Sequence, residues 1–183
     1  MPNSTRIDVV RAVVDAGEAR AALARTGGAG FELDRTVYYP YHWYRASGSA
    51  PRLLGRCALS VHCLVDACTG IASTADRFRC EPATVPAGAV IGAKQSRQRV
   101  VAAARRYVTH ALGRGTRTLA DFGVRLEHAG TVYKAFWIFG SGGLRVLVDS
   151  TTGGIHPLGE HTVDREVDGI EEIGEGNDER LLA

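Results

Sequence analysis

Leu64-Val65-Asp66-Ala67-Cys68-Thr69-Gly70 decides how this chain is read, because Leu147-Val148-Asp149-Ser150-Thr151-Thr152-Gly153 repeats it with five of seven positions identical. Each copy follows an aromatic run. The first is Val37-Tyr38-Tyr39-Pro40-Tyr41-His42-Trp43-Tyr44, and the second is Val132-Tyr133-Lys134-Ala135-Phe136-Trp137-Ile138-Phe139. A stretch that recurs with its neighbours marks a repeated structural unit. Within it, an Asp side chain can accept from backbone N–H groups two or three residues on, and Gly supplies a positive φ. The two carboxylates, Asp66 and Asp149, are therefore read as turn caps rather than as a catalytic pair.

Working outward, Thr5 and Asp8 look like a capping box, and Ile7, Val10, Val14, Ala21 and Ala24 share one helical face. The spacing predicts a helix over 6–25, ending at Gly27-Gly28. A short strand at 31–33, an aromatic strand at 36–46, a loop at 47–56 and a strand at 57–65 follow. Pro40 cannot donate to a ladder, so it points to a sheet edge or a bulge. Residues 76–95, with Pro82, Pro86 and several glycines, read as an irregular linker. Ser96 caps a second helix over 97–112, with Val100, Ala104 and Val108 on its apolar side. Strands at 124–126, 131–139 and 144–148 follow, the last two joined by a hairpin at Gly140-Ser141-Gly142-Gly143. The expected fold is thus α+β: two tandem αβββ repeats, pseudo-twofold related, each a helix packed on a three-stranded antiparallel sheet. The first spans 1–75 and the second 96–158. The intervals Tyr38 to Asp66 and Tyr133 to Asp149, 28 and 16 residues, give the first copy the longer hairpin.

An αβββ unit closing on Val-Asp-x-x-Thr-Gly resembles the PepSY and PepSY-like family. The matching residues are Val65, Asp66, Ala67, Thr69 and Gly70, then Val148, Asp149, Thr152 and Gly153. The resemblance implies a helix on a three-stranded antiparallel sheet, over about residues 6–74 and 97–157. It also implies a role in binding or restraining peptidases, usually outside the cytoplasm. The family pattern carries no catalytic residues to transfer.

The 183 residues suit one domain or two small ones, with a core that needs no disulfide or metal. No apolar run of about 18 residues suggests a membrane helix, and Asp8, Arg11 and Asp15 interrupt any apolar signal core. A cytoplasmic location with no membrane association is expected. The net charge of +2 divides unevenly. Residues 161–183 hold eight acids and two bases, which is −6, so the body is +2 − (−6) = +8. The segment 159–183 is read as an acidic, disordered tail.

Several constellations were weighed. Cys63, Cys68, Cys80 and His62 carry zinc-type ligand atoms. Cys57 belongs to the same group, but along one strand Cys57 and Cys63 would lie about 20 Å apart, too far to share an ion. Zinc is the metal such ligands would suit; no cofactor is expected. Arg97, Arg99, Arg105 and Arg106 give the second helix an anion-binding character that would suit phosphates, although helix-turn-helix, zinc-finger and RNP signatures are absent. No nucleophile elbow, P-loop or dinucleotide fingerprint is present. Tyr39, Tyr41 and Trp43 alternate onto one strand face and form the expected interaction surface. The leading function expected is a non-enzymatic protein-interaction or assembly module that binds a protein partner or itself as a homodimer. The alternatives are a metal- or small-ligand-binding protein, its pocket near His42, His62, Cys63 and Cys68, and a nucleic-acid binder using the Arg-rich helix.

Overall fold

Thr5, Ile7, Val9 and Val10 are β-branched, and such side chains lose rotamer freedom in a helix but fit a pleated strand. They form a strand, β1 (Ser4–Val10), and the helix α1 is confined to Ala16–Arg25. The expected helix over 6–25 is therefore corrected. Ile7 and Val10, three residues apart, share a helical face but lie on opposite faces of a strand; both are buried here, and strand pairing outweighs the helical spacing. The capping box sits at Asp15 and Glu18, not at Thr5 and Asp8: Glu18 N–H donates to Asp15 Oδ1 (2.8 Å) and Asp15 N–H to Glu18 Oε2 (2.9 Å).

The structure, a computed structural model, describes residues 3–27, 30–52, 55–75, 78–113 and 124–159. The acidic tail foreseen at 159–183 lies, from residue 160 on, outside them. Among the described residues the fold is α+β, with two helices and one eight-stranded mixed sheet that is mostly antiparallel.

The two aromatic runs belong to the two longest strands. β2 covers Glu32–Arg52 and β6 covers Arg125–Ser141, and they pair antiparallel from Glu32↔Gly140 to Ser47↔Arg125. The separate short strand at 31–33 and the loop at 47–56 are absorbed into β2 and β3 (Gly55–Asp66), which pair from Tyr41↔Asp66 to Arg52↔Gly55. Likewise the expected strands at 124–126 and 131–139 are one strand, with a bulge between them inside β6. Trp43 faces Gly130 and Tyr44 faces His128, leaving Ala129 as the extra residue. β7 (Leu144–Asp149) pairs β6 through a two-residue turn in which Gly142 (φ 55°) and Gly143 (φ 84°) supply the positive φ values of a type I′ hairpin. The outer strands are β4 (Ala72–Ala75) on β3 and β8 (Ile155–Leu158) on β7.

The region 76–95 is not an irregular connection. It contains β5 (Cys80–Pro86), which pairs antiparallel with β1 from Ser4↔Pro86 to Val10↔Cys80, and a 3₁₀ turn at Ala87–Ala89. Pro82 and Pro86 are tolerated because β5 is an edge strand, where a missing N–H breaks no ladder. The β1–β5 ribbon reaches both central strands: Val9 pairs with Tyr133 of β6, and Val90, just beyond β5, bridges to Tyr38 of β2.

α2 (Arg97–Gly113) matches its expected span. It buries Val100, Ala104 and Val108 against Tyr44, Ala46, Cys63 and Val65. α1 buries Ala19 and Leu23 against Phe139 and Val148, with Trp137 packed alongside; each helix thus lies on strands of the other half of the chain, not, as expected, on those of its own repeat. Thr36 pairs with Trp137, and alternation along β2 puts Thr36 and Tyr44 on the same side. Both helices therefore cover one face of the sheet. Tyr39, Tyr41 and Trp43 project from the other.

Candidate functional site

The two Asp turns are built alike. Asp66 Oδ1 accepts from Cys68 N–H (2.7 Å) and Thr69 N–H (2.9 Å), and Gly70 N–H returns to Asp66 O (2.9 Å). Asp149 Oδ1 accepts from Thr151 N–H (2.8 Å) and Thr152 N–H (3.3 Å), and Gly153 N–H returns to Asp149 O (2.8 Å). Gly70 (φ 78°) and Gly153 (φ 69°) hold left-handed backbone that a side chain would strain. The residue after each Asp ties the turn to the centre of the sheet: Ala67 N–H donates to Pro40 O (3.1 Å), and Ser150 N–H to Ala135 O (3.3 Å). Its carbonyl then accepts two consecutive amides from the segment leading into a helix. Lys94 and Gln95 bond Ala67 O, while Val13 and Val14 bond Ser150 O. This explains Pro40. Its N atom faces the edge that β3 has already left at Tyr41, so no ladder donor is lost there.

On the face away from the helices, the remaining carboxylate capacity meets the central cross-strand pair, Tyr39↔Lys134. Tyr39 Oη donates to Asp66 (3.0 Å to Oδ1, 3.2 Å to Oδ2), and Lys134 Nζ donates to Asp149 Oδ2 (2.5 Å). Burial opposes the charged form of Asp149, but Lys134 and the Thr151 and Thr152 donors outweigh it and hold the carboxyl below its ordinary value. Burial raises the Tyr39 phenol, and Cys68 and Asp66 add to the rise. Burial first, then the nearby carboxylates Asp66 and Asp149, push Tyr41 up to about 12. Both phenols are neutral at physiological pH. Tyr39 and Lys134 thus donate hydrogen bonds to carboxylates that are themselves anchored in turns, and so hold the turns to the sheet.

Around this centre lies a row of half-buried aromatic rings. Tyr39 tilts against Tyr41 (5.5 Å between centroids) and meets Phe136 edge-on (6.1 Å). Lys134 Nζ lies 5.4 Å from the Phe136 ring centre. Trp43 stacks on His62 (5.7 Å) and touches Phe78 (5.1 Å), while its Nε1–H donates to His62 Nδ1 (3.1 Å) and Arg45 lies over its ring. The three residues expected to form an interaction surface are therefore on one face and contiguous with Phe136, Phe78 and His62.

The thiols do not converge in the same way. Cys63 is fully buried under α2, and burial pushes its thiol up to about 11. His62, one residue earlier, points to the opposite face against Trp43. Cys68 lies in the first Asp turn, its Sγ 3.5 Å from Gly92 O, and Cys80 opens β5 opposite Val10. Among the described residues no group of three or more His, Cys, Asp or Glu side chains is arranged to hold a metal ion. The side chain of Cys57 lies outside the described residues. The four arginines of α2 are all exposed but not on one patch. Arg97 continues the line of the buried Val100–Ala104–Val108 stripe, whereas Arg99 and Arg106 share the outward side.

Sequence reasoning overlooked Lys134, Phe78 and His128. Lys134 was detectable, because it occupies the position of Tyr39 when the two aromatic runs are superimposed, and so faces the second Asp as Tyr39 faces the first. His128 carries no such signal. It meets His42 (5.6 Å between rings) and Tyr44 (5.1 Å) only through the β2–β6 register. Together with Arg97 and Gln95 they line a cleft of about 480 Å³ at the start of α2.

No family model, curated protein or solved structure matches the chain. No helix among the described residues is long and apolar enough to cross a membrane.

Proposed function

We propose that this chain is a non-enzymatic protein-interaction module, built from two PepSY-like αβββ units that meet along β2 and β6, and that the aromatic face is its contact surface. The observation that carries the reading is two ring groups, Phe78–Trp43 and Tyr41–Tyr39–Phe136, side by side along β2 on the sheet face opposite both helices. Large rings with a polar tip give much contact area with little side-chain entropy to lose, which is why Tyr and Trp dominate interface hot spots.

The equivalence of the turns supports the two-unit reading. Each unit contributes a helix, a long aromatic strand, a second strand, an Asp turn and a short third strand. Corresponding backbone donors reach corresponding carbonyls. The pair Tyr39↔Lys134 lies on the pseudo-twofold axis, because each is the other's counterpart. On this reading β1 and β5 are an added ribbon that lies outside both units.

The test is site-specific photo-crosslinking of the full chain in the cell that makes it. p-Benzoylphenylalanine at Tyr41 should yield an adduct of defined mass, either with another protein or with a second copy. The same group at exposed Glu81 of β5 should not. Adding Trp43→Ser should abolish the adduct while thermal unfolding stays cooperative. An adduct pattern at position 41 no different from that at position 81 would overturn the reading.

A further inference from the structure

The helix-covered face holds a feature that the interaction surface does not use. We propose that the cleft between the start of α2 and strands β2 and β6 binds the oxyanion group of a small organic molecule, a phosphate monoester or a carboxylate.

Its floor is three rings in contact: His42 and Tyr44 from β2, and His128 from β6. Its lip is Arg97, the first residue of α2, whose charge acts on the Tyr44 phenol. The first bond inside the helix is Val100 N–H to Ser96 O (3.1 Å), and Arg99 N–H is taken by Ser96 Oγ (3.4 Å). The Arg97 and Gln98 amides precede that bond, at the helix N-terminus, where an anion is favoured. Gln95 does not compete, because its amide N–H donates to Cys68 O (2.9 Å).

The charge pattern is one-sided. The groups facing His42 are Tyr44 on its own strand, His128 and the Thr131 hydroxyl on β6, and Arg97 on α2; no carboxylate lines the cleft among the described residues. Glu127, the nearest acid in sequence to His128, is paired with Arg45 (3.0 Å) on the other face. Thr131 Oγ1 meets His42 Nδ1 at 3.2 Å, which orients the ring and leaves Nε2 for a ligand. Burial first, and then the neighbouring His128, lower the His42 pKa, because the cationic form of the ring is disfavoured at this position. An anion between the two rings and Arg97 offsets that penalty.

The second half of the chain supplies an internal control. Trp137 holds the position of His42 in the matching aromatic run, and its indole Nε1–H donates to Val14 O (3.1 Å), the segment corresponding to Gln95. There an apolar ring fills the place and joins the α1 core. In the first half the same place holds an imidazole and stays open. At about 480 Å³ the cleft exceeds what a bare phosphate needs, and its ring floor suits a flat organic body.

The experiment is calorimetric titration of the full chain with phenyl phosphate, benzoate and inorganic phosphate at low salt, at about pH 6 and about pH 8, with NMR detection of the histidine rings. One of the organic anions should bind saturably, at least about tenfold more tightly at the lower pH because cationic imidazoles are the donors. The His42 and His128 ring resonances should move. Tighter binding of phenyl phosphate than of benzoate assigns a phosphate monoester, and the reverse a carboxylate. Arg97 is exposed, so Arg97→Gln should leave thermal unfolding unchanged while abolishing binding; His128→Phe should do the same with the ring floor kept. Absence of saturable binding at both pH values, undiminished binding by Arg97→Gln, or inorganic phosphate binding as tightly as both organic anions would overturn the proposal.

Discussion

Removing the carboxylate of Asp149 should destabilise the fold more than removing that of Asp66, although the two turns are nearly superimposable. Both substitutions to Ala strip two backbone N–H groups of an acceptor. Asp66→Ala also leaves the Tyr39 hydroxyl, a neutral group. Bonds to a charged acceptor contribute about 1.5–3 kcal/mol and an unsatisfied donor costs about 1–3 kcal/mol, so with partial access to water a loss near 2 kcal/mol is expected. Asp149→Ala leaves the Lys134 ammonium, whose side chain is 20% exposed, beside a carboxylate site that was 11% exposed. Deleting one member of a buried ion pair costs about 3–5 kcal/mol. Discounted for the exposed fifth of Lys134, the expected loss is about 3 kcal/mol. At about 2–4 °C per kcal/mol for a chain of this size, melting should fall by roughly 6–12 °C. Adding Lys134→Met to Asp149→Ala should recover part of the loss, since the stranded charge is gone. Urea unfolding of the wild type, both single variants and the double variant measures all of this. The argument fails if Asp149→Ala costs no more than Asp66→Ala, or if Lys134→Met makes it worse.

The same carboxylate has a pH signature. Its folded pKa lies below the ordinary value, so its contribution is complete above the unfolded pKa of about 3.9 and is lost as pH falls through the folded value. The stability gap between wild type and Asp149→Asn should therefore be constant from about pH 7 to pH 5 and close below about pH 4. A gap that persists unchanged into strong acid would assign the effect to turn geometry alone.

Two further outcomes are expected. Gly153→Ala should be costlier than Gly70→Ala: both residues need left-handed backbone, which costs about 1–2 kcal/mol for an L side chain, but a Cβ at Gly153 meets Val14 Cγ2 at 3.3 Å while one at Gly70 finds only Gln95 at 3.7 Å; equal melting temperatures would refute the packing difference. Cys63, fully buried and with its thiol pushed up to about 11, should resist iodoacetamide in native protein at about pH 8 and react only on unfolding; mass-spectrometric labelling of Cys63 at the rate of a model thiol would contradict its burial.

Much of this was legible in the residues. The second helix was readable because Val100, Ala104 and Val108 recur at helical spacing behind a Ser cap, and nothing in the tertiary structure competes with that pattern. The Asp caps were readable because an Asx turn is a local object, closed within four residues. The first helix misled because the i, i+3 spacing of Ile7 and Val10 is helical, while a partner strand some seventy residues away holds the segment extended and buries the two residues on opposite faces. The linker misled because proline and glycine argue against a central strand but not against an edge strand, and a sequence does not say which strand is at the edge.

By itself, then, the sequence determined the repeated turn and the Ser96 cap that opens the second helix, because both depend on neighbours a few residues apart. It also placed Tyr39, Tyr41 and Trp43 on one side of a strand, since alternation is a property of the backbone. Only the tertiary structure decided what shares that side. The β2–β6 register brings Tyr39 beside Lys134 and sets His42 against His128 under Arg97. A shift of one residue in that register would exchange the two faces, and it is held by the ladder between strands about ninety residues apart, which no local pattern encodes.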